Sequence, residues 1–135
     1  MELQLKITGL LLIALALIHI VFPKKFDWKN ELNNLSLMNR QMMHIHTFFI
    51  ALVLFLMGVL CLNSSRELIE TGLGKKIAAG LCIFWSTRLF IQFFWYSTKL
   101  WKGKQTETII HILFSIFWTY LSILFFFVCF NNKSF

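Results

Sequence analysis

Proline occurs once in these 135 residues, glycine six times, and charged side chains make up only 14% of the chain. With so few helix breakers, a fold of many short elements would lack its punctuation. So little charge excludes a water-soluble domain of this length, because a small domain has too much surface to cover without polar side chains. The sequence patterns of common metal and haem sites are missing too: there is no HExxH, CxxC or CxxCH. No internal repeat or low-complexity tract appears.

In their place is a chain that is 58% hydrophobic, with 16 phenylalanines. A helix needs about 20 mostly apolar residues to cross the hydrocarbon core. Four stretches meet that length: Leu3–Phe22, Met42–Leu62, Ile77–Tyr96 and Thr108–Phe130. An open sheet is excluded because lipid cannot satisfy its unpaired backbone groups. A closed barrel would alternate in polarity, and Phe48–Leu60 and Ser122–Phe130 do not. The expected fold is all-α: an integral membrane four-helix bundle, with residues 1–135 as a single transmembrane domain and the bilayer as its first partner. The first span is expected to be a retained helix rather than a signal peptide. Ala14-Leu15-Ala16 lies inside the apolar run, and Pro23-Lys24-Lys25 follows as a stop-transfer flank.

The first connection, Pro23 to Gln41, has Asp27 as a candidate N-cap, Glu31 in a first turn, and Trp28, Leu32 and Leu35 at helical spacing. It predicts a short helix lying in the interface, flanked by Lys24, Lys25 and Lys29. The second connection carries a capping-box pattern, Ser64-Ser65-Arg66-Glu67, and ends at Gly72 and Gly74. The third, Ser97 to Glu107, is a basic turn, and Trp28, Trp95, Tyr96 and Trp101 suggest an aromatic belt.

The net charge of +7 would suggest nucleic-acid binding in a soluble protein. Here the basic residues flank apolar runs, as topology signals and headgroup anchors do, so nucleic acid is excluded as a partner. Seven Lys and Arg lie on the side of the first and third connections, against five on the side of the termini. That count leans toward external termini, in the cytoplasmic membrane if the source is bacterial.

All four histidines fall toward one membrane side. His19 comes near the end of span one, His44 and His46 open span two, and His111 comes early in span four. With helices alternating in direction, His19, His44 and His111 are expected in one layer, above Arg88 and Gln92 of span three. Helical faces support this. Glu107, His111, Ser115 and Ser122 form a polar stripe on span four, with Thr119 nearby. Gln4, Thr8 and His19 share a face of span one, and His44, Thr47, Ala51 and Gly58 a polar or small face of span two. Arg88 and Gln92 are four residues apart, with Trp85 and Trp95 beside them. His46 lies about 200° around the helix from His44 and is a secondary candidate.

Three readings follow. In the first, His19, His44 and His111 ligate haem or a transition metal (Fe, Zn or Cu), with Arg88, Gln92 and Glu107 as supporting or propionate-binding groups, in a redox or cofactor-assembly role. In the second, Arg88 binds the anionic or carbonyl group of a lipid-soluble substrate such as a quinone, and a histidine moves protons. In the third, an accessory subunit uses these residues for packing within a membrane complex or a homo-oligomer. An Arg88–Glu107 pair fixing helix register fits this third reading, and a pore through four helices of one chain fits poorly. Cys61, Cys82 and Cys129 lie toward the other side and read as small buried hydrophobes. Lipid-facing positions suffice for Met42-Met43, Phe93-Phe94 and Phe125-Phe126-Phe127.

Overall fold

A backbone in hydrocarbon has to bond to itself, and long apolar runs without interior breakers satisfy that as helices. The computed structural model describes residues 2–25, 27–94 and 105–130, without the side chains of Phe22, Lys25 and Glu107. Among the described residues the regular elements are α1 (Glu2–Lys25), α2 (Trp28–Glu31), α3 (Leu37–Asn63), α4 (Ser65–Glu70), α5 (Gly72–Phe94) and α6 (Gln105–Cys129). The fold is all-α, and α1, α3, α5 and α6 each contain a stretch long and apolar enough to cross a membrane. Large apolar side chains such as Leu10, Leu17, Phe48, Leu56, Phe94 and Phe127 stand exposed along these helices. So much exposed apolar surface would be unstable in water and is ordinary against acyl chains. Phe126 and Phe127 face outward as expected, but Phe125 is fully buried, so that cluster is not uniformly lipid-facing.

Helix ends depart from the apolar boundaries for identifiable reasons. Helix α1 runs through Pro23 to Lys25, although Pro23 has no N–H to donate to the His19 carbonyl. The interfacial helix shrinks to the single turn of α2. Asp27 sits in the left-handed region at φ 51° and caps nothing with its side chain, which accepts from Asn30 Nδ2 at 2.9 Å. Helix α3 begins five residues before the apolar run because Ser36 caps it, its Oγ accepting from the Asn39 N–H at 3.2 Å. The polar turn Asn39-Arg40-Gln41 is thereby helical. At the other end, Ser64 is the C-cap of α3 and α4 follows. The cap of α5 is Thr71, whose hydroxyl accepts from the Gly74 N–H at 2.9 Å and donates to the Glu67 carbonyl at 2.7 Å. Gly74 is buried hard against α4: a Cβ there would lie 2.6 Å from the Leu68 Cα. The third connection and its aromatics Trp95, Tyr96 and Trp101 lie outside the described residues.

The chain divides into two compact units, Glu2–Ser65 and Arg66 onward. In the first, α1 and α3 pack as an antiparallel pair whose backbones nearly touch. A Cβ on Gly9 would stand 2.6 Å from the Gly58 carbonyl oxygen, and one on Gly58 would stand 2.7 Å from the Gly9 carbonyl oxygen. Ala51, Leu54, Gly58 and Cys61 form the buried stripe of α3 at three- and four-residue spacing. This includes the small face read from Ala51 and Gly58, and membrane helices associate through such faces because close van der Waals contact replaces the hydrophobic drive.

The second unit is built differently. Helices α5 and α6 also run antiparallel, but large rings fill the space between them. Trp85 stacks on Trp118 with centroids 5.0 Å apart and planes 13° apart, and Phe114 stacks on Trp118 at 5.5 Å. Toward one end the Cys82 thiol donates to the Ser122 carbonyl at 3.6 Å. Toward the other, Gln92 meets His111.

Candidate functional site

The polar residues of α5 and α6 collect around the Trp85–Trp118 stack. Arg88 and Gln92 lie on one face of α5 because they are four residues apart. The Arg88 guanidinium lies over Trp118, its Cζ 5.3 Å from the ring centroid, within cation–π range. Its Nη1 donates to Gln92 Oε1 at 3.5 Å. Gln92 is buried and its Nε2 meets His111 Nδ1 at 2.7 Å.

The arginine sets the donor and acceptor roles along this chain. Arginine can only donate, so the Gln92 oxygen turns to Arg88 and the Gln92 amide N–H₂ turns to His111. His111 Nδ1 then accepts, and a neutral ring carries its proton on Nε2. The layer is rich in donors. Besides Arg88 and the imidazole N–H, the indole N–H groups of Trp85 and Trp118 are buried with no hydrogen-bond partner among the described residues. Leaving a buried donor unsatisfied costs about 1–3 kcal/mol. Arg88 lies about 9 Å before the end of α5, inside the span, where a charged side chain is costly by a few kcal/mol.

The polar stripe of α6 resolves into two parts. His111 faces Gln92 and stands edge-on to Phe93, with centroids 6.3 Å apart. The hydroxyls turn back on their own helix: Ser115 donates to the His111 carbonyl at 2.7 Å, Thr119 to Ser115 at 2.8 Å and Ser122 to Trp118 at 2.9 Å. Threonines elsewhere do the same, Thr47 to Met43 and Thr87 to Ile83. These hydroxyls are satisfied by the backbone. The side chain of Glu107, expected beside Arg88, lies outside the described part of the structure.

The other histidines belong to the first unit. The Gly9–Gly58 register, carried along the pair, sets His19 level with Phe48 and leaves His44 about 6 Å, roughly one helical turn, further toward the start of α3. His19 and His44 thus lie within about one helical turn of each other along the pair. His44 meets the Trp28 ring edge-on at 5.3 Å. His19 Nδ1 donates to the Leu15 carbonyl of its own helix at 2.9 Å. His46 stands exposed on α3. Among the described residues no group of three or more His, Cys, Asp or Glu side chains is placed to hold a metal ion. Cys61, Cys82 and Cys129 are free thiols.

Of the residues singled out from the sequence, Arg88, Gln92 and His111 come together, and Trp118, the platform beneath Arg88, was not among them. A signal was present: Trp118 follows His111 by seven residues, two helical turns along one face. Comparisons with protein-family models, with curated proteins and with solved structures yield no match.

Proposed function

We propose that the α5–α6 pair binds the oxygen-bearing head group of a lipid-soluble molecule, a carbonyl of the quinone type or a carboxylate. The observation that carries this reading is the Arg88–Gln92–His111 chain, with Arg88 over the Trp118 indole on which Trp85 stacks. A layer that includes the guanidinium and two buried indole N–H groups suits an incoming oxygen, and aromatic faces suit a flat ring or acyl chain. Arg88 supplies charge for an anionic or polarised oxygen. The His111 Nε2–H is the group able to give up or hold a proton, with Gln92 orienting the ring.

A haem or transition metal on His19, His44 and His111 draws no comparable support. Among the described residues no three His, Cys, Asp or Glu side chains are grouped to hold a metal ion, and a neutral His111 whose Nδ1 accepts from Gln92 has a proton, not a lone pair, on Nε2. The test is binding in lipid nanodiscs, followed by tryptophan fluorescence, of a short-chain benzoquinone and separately of a fatty-acid carboxylate. Saturable quenching by one of them, weakened about tenfold or more in Arg88→Gln, supports the reading. Linear, unsaturable quenching identical in both proteins overturns it in favour of a structural role for Arg88.

A further inference from the structure

A second site lies wholly within the first unit. Where the end of α1, the turn of α2 and the start of α3 meet, a cleft of about 620 Å³ opens, lined by Lys24, Trp28, Lys29, Arg40, Gln41 and His44 among others. Among the described residues that line it there is no carboxylate. The nearest acid in sequence, Asp27, accepts from Asn30 at 2.9 Å. Arg40 has its Nε buried without a hydrogen-bond partner among the described residues.

Topology signals need cations in a connection, and they do not need them gathered around a cavity. Three cationic side chains about one cleft repel one another, and a buried guanidinium N–H needs an acceptor. An anion answers both requirements. The cleft opens where a membrane-length helix ends, beside the indole of Trp28, so the anion is one found at a bilayer surface. We propose that this cleft binds a phosphate group, with Arg40, Lys24 and Lys29 holding its oxygens and the Trp28–His44 contact forming the wall beneath. The phosphate can belong to an anionic lipid or to a free phosphate compound. The inference is independent of the reading of α5 and α6.

The experiment uses the full chain in nanodiscs. In one arm, native mass spectrometry counts phosphatidylglycerol retained from mixed phosphatidylcholine–phosphatidylglycerol discs. In the other, inorganic phosphate and pyrophosphate are titrated in pure phosphatidylcholine discs by phosphorus NMR. The variants are Arg40→Gln and the double change Lys24→Gln/Lys29→Gln, with Lys75→Gln/Lys76→Gln as a control that removes equal charge from α5. Retention or titration weakened about tenfold in both cleft variants, and unchanged in the control, is the expected result. A response confined to the lipid arm assigns a headgroup, and one confined to the other arm assigns free phosphate. The double lysine variant alters exposed side chains only, so it answers even if Arg40→Gln fails to fold. No binding in either arm, or equal weakening in cleft and control variants, overturns the proposal.

Discussion

The two helix pairs solve the same problem, holding two spans together without help from water, by opposite means. In α1–α3 the side chains are removed from the contact: Gly9 and Gly58 let the backbones meet, and each carbonyl oxygen lies where the other residue's Cβ would be. In α5–α6 the contact is built from the largest side chains, Trp85, Trp118 and Phe114, with a polar chain beside them. A glycine contact fixes register by sterics and leaves no room for a ligand. A layer of rings spaces the backbones apart and creates an interior where a guanidinium, an amide and an imidazole can be held in order. The histidines follow the same division. His19 directs its Nδ1–H to its own helix, whereas His111 receives a hydrogen bond at Nδ1 from the neighbouring helix.

The largest effect that could break this comparison is expected from Trp118→Ala. It removes the partner of Trp85, Phe114 and Arg88 at once, and a loss of about 3 kcal/mol is expected for the second unit, read by steric-trap or denaturant unfolding in micelles. A smaller loss, about 1–3 kcal/mol, is expected for Gly58→Ala through overpacking against Gly9. Gly80→Ala sharpens the contrast. A Cβ at Gly80 would meet nothing within 4 Å, so this change is expected to be neutral or stabilising by up to about 1 kcal/mol. Equal losses from the two glycine changes would show that close backbone approach is not what distinguishes the first pair.

How far all this was legible in the sequence depends on which interaction sets each feature. The spans were legible because lipid leaves the backbone few options. Their ends were not, because Ser36 and Thr71 cap helices whose first turns are polar and invisible to an apolar count. That Arg88 and Gln92 share a face was legible from one helix alone, while the partner expected for Arg88 was Glu107. The contact of Gln92 with His111 was not, since it depends on how α5 and α6 slide against each other, which the indole stack decides. Ser115 and Ser122 were read as one face with Thr119 nearby, but the reading could not see that each hydroxyl bonds back four residues.

The proton on His111 is the point on which the functional proposal turns, and it can be observed. Nitrogen NMR of protein labelled in histidine, in nanodiscs at neutral pH and assigned by His111→Gln, reports which ring nitrogen carries hydrogen. The expected spectrum has a protonated Nε2 and a bare, hydrogen-bonded Nδ1, with the preference lost in Gln92→Leu. A ring protonated at Nδ1 with Nε2 bare in the wild-type protein would contradict it.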